Sequence, residues 1–251
     1  MTVAEQIAQI RFAELIPALT PQAEIALLAR ALYREGFDDH SAGHITYRQP
    51  DDTLLALPLE LGWNEVRASD VIRMDLDGKK LEGRWSAPLA IGVHLEYHRV
   101  HPGCTVTVHQ HPRFATIWST AGRLPGVYDQ RSAHLPDSDY ALYDDYDGLF
   151  EDEASCRKAV QAMGSARCVL LRNHGVMVVG DSIAQAYATS VTLEWRCRQA
   201  WYAAALEGAA EVPGDGRAAI ESVVASRGGV IPCFWEWAVR RELGPVGSVL
   251  D

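Results

Sequence analysis

The chain has 251 residues, 48% hydrophobic and 22% charged, with a formal net charge of −10 at pH 7. That length fits one large domain or two small ones and can bury about 70% or more of the unfolded surface. The charge argues against nucleic acid or an acidic membrane as partner, since both are met by basic patches, and no apolar run reaches the roughly 18 residues of a membrane helix. It leaves room for a small anionic substrate, because a local Arg or a metal overrides the global field. The five cysteines, Cys104, Cys156, Cys168, Cys197 and Cys233, are scattered without C-x-x-C spacing. With no signal peptide at the N-terminus, they read as reduced thiols in a cytoplasmic protein.

In chain order, residues 3–16 carry apolar positions at helical spacing, and Pro17 ends that run. A second helix is expected from Thr20 as N-cap, with Pro21 at its first position, through Ile25, Leu28, Ala29 and Leu32 to Gly36. Turn formers follow at Asp38, Asp39, His40 and Ser41. Short strands are then expected over Gly43–Arg48, Thr53–Leu57 and Val71–Leu76, which together imply an antiparallel sheet. Pro88 to Val100 reads as a helix and Thr105 to Gln110 as a strand, with Phe114 to Ser119 opening another helix. From Gly126 to Phe150 the pattern dissolves into Asp and Tyr, a long loop of the kind that serves a site or an oligomer contact. A helix over Glu153–Met163 precedes two β-branched runs, Cys168–Leu171 and Val176–Val179, that bracket Arg172-Asn173-His174-Gly175. Gly175 would permit an unusual backbone angle beside His174. A long helix from Asp181 or Ser182 to about Leu206 and a short one near Ile220 complete the pattern. The aromatic tail Phe234 to Arg241 is too apolar for water and should pack on a core or a neighbouring subunit.

Chemistry concentrates at Thr105-Val106-Thr107-Val108-His109-Gln110-His111-Pro112. Side chains alternate across a strand, so His109 and His111 face one way, and Pro112 puts them at a strand end. Two imidazoles so placed suit a metal if a third ligand arrives, or are simply polar groups on a wet face. His174, in a turn beside Gly175, is the third candidate. Taken with the Gly43–Arg48 strand, Asp75-Leu76-Asp77-Gly78, His94 and the helix holding Glu194, these motifs resemble the class II aldolase/adducin family over roughly residues 20–207.

The resemblance implies a three-layer α/β/α fold with a mainly antiparallel central sheet, formed by a single domain over 1–251 whose tail is 208–251. It also implies a homotetramer, and His109, His111 and His174 as ligands of a divalent metal, zinc first, with iron(II) or manganese as alternatives. The departures point to the reaction. The Glu that serves the family's sugar-phosphate aldolases as ligand and base falls on Ala90, and the phosphate-binding serines fall on Pro88 and Leu89. The phosphate turn becomes Leu57-Pro58-Leu59-Glu60, whose carboxylate would repel phosphate, and the family's strand Asn is His44. The expected substrate is therefore an unphosphorylated organic acid, oxo or aromatic hydroxy. The expected reaction is decarboxylation or aldol-type cleavage, with a non-haem iron oxygenase or a non-catalytic adducin-like module as alternatives. Replacement acid/base groups are Glu60 first, then His44, Glu96 and Tyr128. Arg131 or Arg172 could meet the substrate carboxylate, and Tyr128, Tyr140, Tyr143 and Trp235 could flank an aromatic ring. His94 is expected to be structural, and His98 and His101 to face solvent.

Overall fold

The computed structural model describes residues 16–146, 148, 150, 152–226 and 230–244. The helix expected over 3–16 falls outside them, apart from Ile16. The first described helix, α1 (Pro21–Arg34), starts as its sequence dictates: the Thr20 hydroxyl accepts the Ala23 N–H at 3.2 Å, and Pro21 occupies a position that has no N–H to satisfy.

An eight-stranded sheet forms the middle layer, in the order β4-β3-β2-β1-β5-β8-β7-β6. Its strands are β1 (His44–Arg48), β2 (Leu54–Ala56), β3 (Ile72–Met74), β4 (Lys80–Glu82), β5 (Val106–Gln110), β6 (Tyr140–Tyr143), β7 (Cys168–Leu171) and β8 (Gly175–Gly180). Every pairing is antiparallel except β6 beside β7. Period-two alternation divides the two faces. Val106, Val108, Leu170, Val176 and Val178 share one core with α1, with α5 (Ile183–Ala203) and with Trp235, Ala238 and Val239 of α7 (Val230–Glu242). Val169, Leu171, Met177 and Val179 turn to the other side, against α2 (Gly92–Val100) and α4 (Glu153–Met163). Two further helices, α3 (Arg113–Ser119) and α6 (Gly214–Ser226), complete the described α-helices. Among the described residues no helix is long and apolar enough to cross a membrane.

The elements depart from the sequence pattern in three places. β6 lies inside the stretch expected to be irregular; Tyr140 and Tyr143 are buried while Ala141 and Leu142 are half-exposed, an edge-strand pattern hidden by flanking Asp. β4 is exposed at all three positions and so carries no apolar signature. α2 begins at Gly92 rather than Pro88 because Ala90 adopts φ 51, a left-handed conformation that a helix cannot include. The aromatic tail packs on this chain's own core, with Trp235 5.8 Å from Tyr187 between ring centroids.

Between α2 and the sheet, the packing is polar. Thr46 and Thr107 lie on neighbouring strands with their hydroxyls 2.6 Å apart; His98 Nε2 is 2.8 Å from Thr46 Oγ1, and His94 Nδ1 is 2.5 Å from Thr107 Oγ1. His94 is structural, as its sequence context suggested. His98 is not on the solvent side as expected: it is fully buried, because α2 turns it inward one helical turn after His94. His101 is half-exposed and stacks on Tyr97 at 4.4 Å.

Candidate metal centre

β1 and β5 run antiparallel with His44 opposite His109, so the start of β1 lies beside the end of β5. β8 pairs with β5 on its other side, placing Val176 opposite Gln110 and delivering the 172–175 turn to the same strand end. His109, His111 and His174 converge there, with one candidate ligand atom from each lying within 4.8 Å of the others. Their rings stand 4.9 to 5.1 Å apart by centroid.

Each ring is held from outside the cluster. His109 Nδ1 is 2.9 Å from the Val176 carbonyl oxygen; a carbonyl only accepts, so Nδ1 carries the hydrogen and Nε2 keeps its lone pair. His111 Nδ1 donates in the same way to Asp39 at 2.8 Å. That leaves His111 Nε2, which is buried without a partner, as is Nδ1 of His174. Phe150 stacks on the His174 ring at 5.5 Å, nearly parallel at 17°.

Buried nitrogens without a partner are costly unless something binds them, and a divalent cation would do so. Burial holds His109 well below the ordinary histidine range and lowers His174 to about 4, with neighbouring histidines adding to both effects. These rings are therefore neutral near pH 7, the state in which imidazole ligates. The hydrogen bond from His111, followed by the one from His40, keeps Asp39 below the usual carboxylate range and so ionised. A carboxylate behind a ligand imidazole fixes its tautomer and raises its basicity. The donor set of three imidazoles with no carboxylate among them suits zinc or iron(II) and leaves coordination positions open.

His44 adjoins the cluster, its ring 5.7 Å from that of His109. Its Nδ1 is buried without a partner, and burial, with His111 and His174 nearby, lowers it to about 4. Glu60 is instead tied down on the surface: both carboxylate oxygens accept the Ser86 N–H, at 3.1 and 3.0 Å, and the Ser86 hydroxyl first, then that N–H, lowers its pKa. It staples the turn after β2 to the loop that carries Ala90, and as a stabilised carboxylate it is a weak proton acceptor. Glu96 faces Arg157 at 4.0 Å.

Tyr143 is buried behind Phe150, 5.9 Å away by centroid, and so stands one layer back from His174. Tyr128 and Trp235 pack against the core on the opposite face of the sheet, and Arg131 lines a cavity beside α5. Within this chain those three do not meet the histidines. Tyr140 lies under the Arg196 guanidinium, and Arg172 pairs with Asp144, so both are structural. Gly175 is also used differently from the expectation. The unusual angle belongs to Asn173, with φ 52, whereas Gly175 is required by close approach: a Cβ there would stand 2.5 Å from His111 Cδ2.

Asp39 and Phe150 are the contributors missed from sequence. Asp39 was legible in principle, because antiparallel pairing of the β1 start with the β5 end brings the preceding turn to His111. Gln110 closes that junction by donating to the Ala42 carbonyl at 2.6 Å. Phe150 lies in an aperiodic stretch and gave no signal.

Residues 23–201 match the model of the Class II Aldolase and Adducin N-terminal domain. The chain is 31% identical over 182 residues to a 3,4-dihydroxyphthalate decarboxylase of Arthrobacter keyseri, covering 68% of this chain and 73% of the relative. It is 29% identical over 196 residues to a 4-hydroxy-3-prenylphenylpyruvate oxygenase/4-hydroxy-3-prenylbenzoate synthase of Streptomyces roseochromogenus subsp. oscitans, covering 76% and 70%. The structure superposes on an L-fuculose 1-phosphate aldolase from Glaciozyma antarctica PI12 with a TM-score of 0.79 at 21% identity, over 93% of this chain and 97% of the other.

Proposed function

The chain belongs to the class II aldolase and adducin family, and from that premise we propose that it is a metal-dependent lyase acting on an unphosphorylated organic acid, by decarboxylation in the first instance. The observation that carries the reading is the convergence of His109, His111 and His174, with buried, partnerless nitrogens on His111 and His174 and no carboxylate in the ligand set. The decarboxylase relative supports the substrate class, a hydroxylated aromatic acid.

His109, His111 and His174 would hold the cation. A divalent ion there supplies Lewis acidity to the substrate's carboxylate and adjacent oxygen, favouring the charge that develops as the carbon–carbon bond breaks. The Val176 carbonyl and Asp39 hold His109 and His111 in one tautomer and orientation. Phe150 covers the His174 ring and keeps water from that side. His44, neutral near pH 7, places a ring nitrogen beside the cluster, where it can direct a hydrogen bond to the substrate. Ala90, with no carboxyl, leaves the aldolase base position empty. Glu60 occupies the Ser86 N–H with negative charge, which disfavours a phosphorylated substrate there. Assembly as a homotetramer in the cytoplasm belongs to the same proposal.

Carbon dioxide release from dihydroxyphthalate, hydroxybenzoates and aromatic 2-oxo acids, measured with metal-loaded protein, tests the reading. Metal-dependent release that His174→Ala abolishes is expected; no release from any of them, with oxygen uptake instead, overturns it. A second reading, a non-haem iron(II) oxygenase, is favoured by the oxygenase relative and would be identified by that uptake.

A further inference from the structure

On the α5 side of the sheet, the end of α1, the start of α3 and the middle of α5 enclose a cavity of about 330 Å³. Its walls combine Arg113, Arg131 and Arg198 with Phe114, Val191 and Trp195. Trp195 organises the cations. Arg131 lies 4.5 Å and Arg198 4.7 Å from its ring centroid, so one indole holds both guanidiniums against its π-system. The indole is itself fixed, because Nε1 donates to both carboxylate oxygens of Asp129 at 3.1 Å.

None of these guanidiniums has a carboxylate in direct contact, although Glu35 and Asp129 lie near enough to favour the charge on Arg131, and Glu194 lies near Arg113 and Arg198. Among the described residues none of Arg113, Arg131 and Arg198 forms an ion pair, and Arg131 Nε is buried without an acceptor. The nearby acids are engaged elsewhere. Glu194 accepts the N–H groups of Phe114 and Ala115 at 3.0 and 2.8 Å. Glu35 takes Arg241 at 2.8 Å and the Tyr187 hydroxyl at 3.3 Å. Asp38 remains, at the exposed rim.

We propose that this cavity is a second ligand site, separate from the histidine cluster, which takes a small flat carboxylate such as an aromatic acid. Planar guanidinium forks pair in-plane with carboxylate, and a fork already held on an aromatic face loses little freedom in doing so. The walls of Phe114, Trp195 and Val191 suit a flat apolar body behind the carboxylate, and the volume lies at the lower end of the range for small-molecule pockets. The inference uses no part of the lyase reading.

Isothermal titration of the full-length, metal-loaded protein with benzoate, phthalate and inorganic phosphate tests it, repeated on Arg131→Gln, Arg198→Gln, Arg198→Lys and His174→Ala. Carboxylate binding should weaken about tenfold or more in each Gln variant, weaken less in Arg198→Lys and survive in His174→Ala. Melting curves establish that each variant is folded, and Arg198→Lys keeps the test open if a Gln variant is not. Binding lost in His174→Ala but intact in the Arg variants would assign the ligand to the histidines and overturn the proposal. Phosphate binding tighter than either carboxylate would overturn the ligand class. Absence of carboxylate binding, with sedimentation showing a stable oligomer that Arg198→Gln dissociates, would make the cavity a contact between copies instead.

Discussion

Gly175 stands at the head of β8 directly under the His111 ring. A Cβ at this position would lie 2.5 Å from His111 Cδ2 and 2.7 Å from the Gln110 carbonyl oxygen. Carbon atoms in ordinary contact are about 3.5–4.0 Å apart, so Gly175→Ala requires a displacement of about 1 Å. The Gln110 backbone cannot easily supply it, since β5 is paired on both sides and the Gln110 amide donates to Ala42. The His111 ring yields instead, which lengthens its 2.8 Å bond to Asp39 or turns Nε2 from the cluster. Overpacking of this size costs about 1–3 kcal/mol, and loss of ligand orientation costs about 10–100-fold in metal affinity. Chelator competition and thermal melting, run together, read both quantities. The variant should stay folded, melt lower and hold metal at least about tenfold more weakly. Wild-type metal affinity at a lowered melting point would refute the reasoning, because the clash would then have been absorbed without disturbing a ligand.

Asp39→Ala removes the acceptor behind His111 and should weaken metal binding about 10–100-fold, with Asp39→Asn milder because its oxygen still accepts; equal affinity in all three proteins would deny Asp39 that role. Burial lowers His44 and His174 to about 4 in the folded chain, so between the ordinary 6.5 and about 4 the unfolded chain binds more protons. Their joint contribution to the stability of the chelated protein should therefore be full above about pH 6.5 and be lost as pH drops through that window, against an opposite drift from Glu194, whose raised pKa favours the folded chain as pH falls from about 7; an identical pH dependence of the urea midpoint in His44→Phe would contradict the burial. Glu194 is raised to about 7 by burial yet satisfies the first N–H groups of α3, so Glu194→Ala should cost about 2–3 kcal/mol in chemical denaturation, and a neutral result would mean that water replaces it.

The ligand candidates were legible because His109 and His111 sit two apart on a strand with Pro at its end, and His174 sits in a turn between two apolar runs. Both are local patterns. The three-layer, mainly antiparallel fold followed from the same motifs through the family resemblance. What the sequence hid depends on register and on distance along the chain. Asp39 reaches His111 only because β1 and β5 pair antiparallel, and Phe150 reaches His174 only because β6 lies parallel to β7. Glu60 was placed near the chemistry by its position in the turn, but the free Ser86 N–H captures it first. His98 was misjudged because α2 packs its polar side, not an apolar one, onto the threonines of β1 and β5.

Metal content per chain is the most direct test of the central claim. The measurement is elemental analysis of protein purified anaerobically without a histidine tag, alongside His109→Ala and His174→Ala. The account predicts about one divalent cation per wild-type chain and little in either variant, since three imidazoles make the site and two do not close it. A folded wild-type protein that takes up no zinc, iron or manganese, or variants that keep full metal content, would contradict it.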